Sequence, residues 1–223
     1  MTVVEAVVFD LDGTLIDSEV VWDRVRRGLA AQDGVPWPEG TTQAMMGMST
    51  QEWSAHLVDA VGIRGPAEDA ARRTIEGLIE AYRSGLPVLP GALQAVRRLG
   101  ARWRLGLASS SPRLLIDRAL AAMELTDSFA STLSTEELDG VGKPAPDVYL
   151  ESCRRLGVEP RRAVAVEDAP NGIRAAHAAG MKVIAIPPHF HPPAPEILEL
   201  ADAVLGALDE LTVELVAGLL EEA

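Results

Sequence analysis

Apolar residues arrive in short, nearly unbroken runs, separated by stretches in which they recur at helical spacing. The first run, Val3-Val4-Glu5-Ala6-Val7-Val8-Phe9, is made of strand formers. Later runs predict strands at Trp103 to Ala108, Phe129 to Leu133, Ala163 to Val166, Val183 to Ile186 and Ala203 to Leu205. Between them, helical patterns occupy Ala92 to Leu99, Pro112 to Met123, Pro146 to Leu156 and Asn171 to Ala179, with a last helix from Leu208 to Leu220. Strands and helices that alternate in this way, with the strands apolar on both faces, predict an α/β fold whose parallel sheet carries helices on each side.

One long segment breaks the alternation. Residues 18–86 read as helix with interruptions: Ser18 is placed to cap a helix carrying Val21, Trp22, Val25 and Leu29, and Gly34-Val35-Pro36-Trp37-Pro38 ends it. Further helical patterns run from Thr50 to Val61 and from Pro66 to Tyr82 before Pro87 and Pro90-Gly91 restore the alternation. The expected organisation is a core of residues 1–16 and 87–223 interrupted by a helical cap at 17–86, beside the carboxyl end of the first strand.

The polar residues at the expected strand ends carry the candidate chemistry, because ligands of open α/β sheets bind there. Asp10-Leu11-Asp12-Gly13-Thr14 follows the first strand. Carboxylates two residues apart on a strand can face one side, and their repulsion is most simply relieved by a hard cation such as Mg2+. The glycine comes too early and the following Leu15-Ile16 is too apolar for an EF-hand loop, although Asp-Gly also suits a plain turn. The second strand leads to Ser109-Ser110-Ser111-Pro112, which could hold an anion or cap the next helix. Gly142-Lys143-Pro144 follows the third strand, and Glu167-Asp168 ends the fourth. Taken singly, Lys143 could be a solvated loop lysine and Glu167-Asp168 a helix cap.

Composition narrows the field further. The 223 residues are 48 % apolar, enough for a sizeable core, and contain no apolar run approaching the roughly 20 residues of a membrane span. The amino terminus enters a strand without a signal-peptide pattern, and the single cysteine, Cys153, excludes an internal disulfide, so a cytoplasmic protein is expected. Cys153 itself reads as a small buried apolar residue. With 33 acidic against 20 basic residues, the net charge of −13 argues against nucleic acid or an anionic membrane as partner. It also requires any phosphate site to be locally positive. Lys143 and Lys182 are the only lysines. His189 and His191 lie in a Pro-rich segment, where a surface loop is a better reading than a metal site.

Asp10-x-Asp12-Gly-Thr, Ser109, Lys143-Pro144 and Glu167-Asp168 resemble, in order, the four motifs of the haloacid dehalogenase superfamily. The inserted cap resembles the subclass of sugar-phosphate phosphatases and β-phosphoglucomutase. The resemblance covers essentially the whole chain and implies a Rossmann-like core with an α-helical cap. It implies that Asp10 is the nucleophile, forming an aspartyl-phosphate, and that Asp12 is the general acid and base. Ser109, Ser110 and Lys143 would hold the phosphate. Mg2+ would be bound by Asp10, the Asp12 backbone carbonyl and Asp168, with Glu167 nearby.

Within the family, Asp12 speaks against a dehalogenase, and the absence of any lysine before Lys143 against Schiff-base chemistry from the cap. The cap histidine, lysine and arginine of the mutase branch fall at Trp22, Met46 and Thr50, around Gly47. Asp17-Ser18-Glu19 with Trp22-Asp23-Arg24 is closer to hexose- and hexitol-phosphate phosphatases. The expected activity is therefore Mg2+-dependent hydrolysis of a small phosphorylated sugar or polyol, by a monomer. A phosphosugar mutase and a phosphoglycolate phosphatase are the alternatives. Trp22, Gly47, Met48 and Asn171 are the candidate substrate contacts, Trp22 sharing its stripe with ordinary packing residues.

Overall fold

The computed structural model describes residues 3–45, 48–138, 142–189 and 192–220. Strand β1 (Ala6–Phe9) is followed by four helices, α1 (Glu19–Asp33), α2 (Thr41–Ala44), α3 (Thr50–His56) and α4 (Ala67–Ser84). Then come α5 (Ala92–Gly100), β2 (Arg104–Ser109), α6 (Arg113–Ala122), β3 (Ser131–Ser134) and α7 (Asp147–Leu156). Strand β4 (Ala163–Glu167), α8 (Pro170–Ala178), β5 (Lys182–Ala185), α9 (Pro195–Leu198), β6 (Ala203–Val204) and α10 (Val213–Gly218) complete the order.

The strands form one parallel sheet in the order β3-β2-β1-β4-β5-β6. The sequence runs outward from β1 in one direction and then from β4 in the other, so the topological switch point lies between β1 and β4. Alternation along the strands divides the core into two layers. Val7, Phe9, Leu107 and Val166 pack with α5 and α6 on one face, and Ala6, Val8, Ala165 and Val183 pack with α7 and α8 on the other. Phe9 meets Phe129 edge to face at 6.3 Å, a favourable aromatic geometry. Phe129 thus belongs to the core without belonging to the strand, and β3 begins two residues later than its apolar run suggests.

The insertion leaves and rejoins through a narrow neck. The Asp17 amide donates to Pro87 O at 2.8 Å and the Leu89 amide to Leu15 O at 2.9 Å, so exit and return lie side by side. Leu29, Met45, Trp53, Leu57 and Ile63 form a small core inside the insertion, separate from the two sheet layers.

Three local expectations are corrected. Ser18 stands at the N-cap position of α1, but its side chain makes no cap; its hydroxyl donates to Asp12 Oδ1 at 2.5 Å, a charged acceptor nearby. The helix from Thr50 changes after His56 into a π-helical turn at Leu57–Val61, closed by left-handed Gly62. The last helix is broken into a 3-10 turn (Leu208–Glu210) and α10. Arg98 takes the carbonyls of Leu208 and Leu211 at 3.0 and 2.8 Å, acceptors a continuous helix would need, and Thr212 caps the restart.

Candidate active site

Parallel strands end on one edge of the sheet, and a cavity of about 530 Å3 opens there. Asp10 and Asp12 line it from the end of β1, Ser109 and Ser110 from β2, and Glu167 and Asp168 from β4. Lys143 enters from the loop before α7, Asn171 from the first turn of α8, and Trp22 and Met48 from the insertion. The cavity therefore brings together every candidate residue but Gly47, which lies outside the described residues. His189 is exposed, and His191 lies outside the described residues.

Lys143 organises the floor. Its ammonium donates to Asp10 Oδ1 and Glu167 Oε1, both at 2.6 Å, and to Ala108 O at 3.0 Å. Tyr149, buried on α7, donates to the same Glu167 oxygen at 2.6 Å, while the second Glu167 oxygen accepts the Asp168 amide at 3.2 Å. Glu167 is thus held from both ends. Thr14 donates to Asp168 Oδ1 at 3.3 Å.

Two glycines make room for these acids. Gly13 has φ +86°, and a Cβ there would lie 2.1 Å from Asp168 Oδ2. At Gly172 the constraint is space, since a Cβ would meet Glu167 Oε1 at 1.8 Å.

Asp12 is set apart from this cluster. Its Oδ2 accepts hydrogen bonds from Ser111 Oγ at 2.6 Å and Ser109 Oγ at 3.4 Å, opposite the Ser18 contact. Ser109 Oγ also accepts the Ser111 amide at 2.9 Å, and Ser134 Oγ donates to Ser111 O at 2.7 Å. The serine run is thereby held as a loop around a carboxylate and does not act as a simple helix cap.

Burial and charge act on the acids together. Burial pushes the Asp10 carboxyl up to about 8; the Lys143 ammonium opposes this, and Glu167 and Asp12 add to it. Asp168 is raised well above the carboxylate range by burial first and then by Glu167 and Asp10. Burial alone would lower Lys143, but the Asp10 and Glu167 carboxylates outweigh it and hold the ammonium charged. Six carboxylates and two cations line the cavity among the described residues. The expectation of a locally positive phosphate site is thus not met by side chains alone.

Carboxylate oxygens of Asp10, Glu167 and Asp168 lie within 4.8 Å of one another. An all-oxygen set whose members repel each other fits a hard divalent cation that takes the place of protons. The Asp12 side chain is not part of that group; the resemblance assigns the metal its backbone carbonyl.

The sequence reading missed several lining residues, among them Glu19, Arg26, Thr42 and Trp53. Arg26 had a signal, being a charge one turn beyond Trp22 on a stripe that is otherwise apolar. Tyr149 had none, because a tyrosine in a core helix reads as packing.

The sheet order, the carboxyl-edge site and its Asp, Ser, Lys and acidic groups define a hydrolase class that comparison also finds. The family model of haloacid dehalogenase-like hydrolases matches residues 4–180, and the chain belongs to that family. Hexitol phosphatase B of Escherichia coli (strain K12) is 36 % identical over 216 residues, covering 94 % of this chain and 95 % of that protein. A phosphorylated carbohydrates phosphatase of Thermotoga maritima is 31 % identical over 181 residues, 81 % of this chain and 83 % of its own length. Among solved structures, CbbY from Rhodobacter sphaeroides in complex with phosphate superposes with a TM-score of 0.80 at 27 % identity, covering 93 % of this chain and 96 % of that one.

Proposed function

We propose that this chain is a Mg2+-dependent phosphatase that hydrolyses a phosphate monoester of a small sugar or polyol through an aspartyl-phosphate. The observation that carries the reading is the division of labour among the carboxylates. Asp10 lies in the acidic cluster under Lys143, while Asp12 is held apart by serine hydroxyls. The two phosphatases similar over most of their length support the substrate class.

In this reading Asp10 attacks phosphorus in line and the alcohol departs. Lys143 fixes the Asp10 carboxylate and, with Ser109 and Ser110, receives phosphoryl oxygens. Asp12 gives its proton to the leaving alcohol and later takes one from the water that cleaves the phosphoenzyme, a contribution of about 10²–10⁴-fold. Mg2+ held by Asp10, the Asp12 carbonyl, Glu167 and Asp168 would offset the repulsion between those carboxylates and the phosphate. Residues 17–86 act as a cap that closes over the phosphate site. Trp22, Met48 and Asn171 face the part of the substrate beyond the phosphate.

The test is phosphate release from a panel of sugar, polyol and glycolate phosphates, with Mg2+ and with EDTA. Release that depends on metal and concentrates on hexose or hexitol phosphates is the expected result. Release from none of them sinks the reading and directs the next assay to β-glucose 1-phosphate with a bisphosphate primer, the mutase reaction.

A further inference from the structure

Arg26 is the cation in the cavity that the proposed chemistry leaves unused. It projects from α1, is only 7 % exposed, and lines the side formed by the insertion. Its guanidinium carbon lies 4.5 Å from the Trp22 ring centroid and 4.9 Å from that of Trp53. The two indoles meet edge to face at 5.7 Å, so the guanidinium is gripped from two sides.

The grip covers its faces and leaves one nitrogen of its edge unpaired. Nε is buried without a hydrogen-bond partner, and no ion pair of Arg26 is found among the described residues. Asp23 is already taken by Arg27 Nε at 2.6 Å and by Thr42 Oγ1. Burial lowers Arg26 to about 10, Glu19, Asp23 and Asp12 opposing, so it stays charged at neutral pH. A desolvated charge with an unpaired nitrogen is costly unless an acceptor completes it, and Arg26 lines the cavity through which one can enter.

We propose that Arg26, clamped by Trp22 and Trp53, is the specificity-determining residue that donates to hydroxyl oxygens of an uncharged polyol or sugar tail. It favours such a tail over one that ends in a carboxylate or a second phosphate. The tail's charge follows from the neighbours. Among the described residues six carboxylates and only two cations line the cavity, an excess of negative charge that would repel a second anion. The proposal rests on the phosphatase reading and adds the residue that reads the tail.

The experiment compares steady-state kinetics with Mg2+ for the wild type, Arg26→Met and Arg26→Lys. Its substrates are glucose 6-phosphate or glucitol 6-phosphate (whichever turns over faster), 6-phosphogluconate, and p-nitrophenyl phosphate, which has no hydroxyl tail. The wild type is expected to prefer the neutral tail to the carboxylate. In Arg26→Met the ratio of kcat/KM for the neutral-tailed substrate to that for the nitrophenyl ester should fall roughly 10–100-fold, mostly through KM. Arg26→Lys keeps the charge without the planar fork and should recover part of it; it also supplies the comparison if the methionine variant does not fold. An unchanged ratio with a lowered Tm would make Arg26 a packing element and overturn the proposal. Preference of the wild type for 6-phosphogluconate would overturn the neutral tail. Hydrolysis of the nitrophenyl ester alone would instead sink the sugar or polyol substrate class, and hydrolysis of nothing would sink the phosphatase reading, on which the proposal stands.

Discussion

Lys143 joins Asp10 to Glu167, so the proposed nucleophile cannot be altered without touching another acid of the carboxylate cluster. Asp10→Asn retains an oxygen for Lys143 to bond while removing the attacking charge. Phosphate release should fall at least about 10³-fold with the circular dichroism spectrum unchanged; substantial metal-dependent turnover in this variant would sink the covalent mechanism. Asp12→Ala should slow both leaving-group departure and phosphoenzyme hydrolysis, by about 10²–10⁴-fold. Wild-type kinetics there would hand the proton transfer to another group. Gly172→Ala offers a steric probe: its Cβ displaces a Glu167 side chain pinned by Lys143 and Tyr149. We expect a loss of about 1–3 kcal/mol in urea unfolding together with weakened Mg2+ dependence, and unaltered stability would mean that Glu167 moves aside freely. At this scale Asp10, Asp12, Lys143, Glu167 and Asp168 were legible because each follows a recognisable strand end. Tyr149 and Ser111 were not, since their roles arise from partners 18 and 99 residues away.

Helices hold one another through a few end contacts that local patterns do not announce. Asp33, the last residue of α1, accepts a bidentate pair from Arg73 of α4 at 2.7 and 3.1 Å and the Arg64 amide at 2.8 Å. These bonds, Arg73 first and then the Arg64 amide, pull the Asp33 carboxyl down to about 2. A carboxyl held below its unfolded value of about 3.9 contributes stability that is present above that pH and lost as pH falls through the folded value. The Tm gap between wild type and Asp33→Asn, open near pH 6, should therefore close between about pH 4 and pH 2. A gap constant across that range would show that the bridge adds nothing to stability. The existence and type of elements followed from hydrophobic period, but their ends did not. Ser18 left its cap for Asp12, Phe129 served the core instead of β3, and Arg98 interrupted the last helix. In each case a nonlocal partner outweighed the local preference.

Across the whole molecule acid exceeds base, and among the described residues six carboxylates and only two cations line one cavity. Binding of Mg2+ to the folded state alone should stabilise it by mass action, by about 2.7 kcal/mol at a concentration of 100 Kd. For a chain of this size that corresponds to a Tm rise of roughly 5–10 °C, reversed by EDTA and absent in Asp168→Asn. An equal rise in the variant would place the ion elsewhere. No helix among the described residues is long and apolar enough to cross a membrane.

By itself the sequence determined the α/β class, the place of the helical insertion and the chemical groups at four strand ends. Those depend on hydrophobic period and on residues a few positions from a strand, which the chain carries locally. Only the tertiary structure decided that β1 lies between β2 and β4, which brings those groups into one site. It alone set Trp22, Arg26 and Trp53 over that site, because their meeting depends on how α1 packs against α3 and how the neck at residues 15–17 and 87–89 aims the insertion.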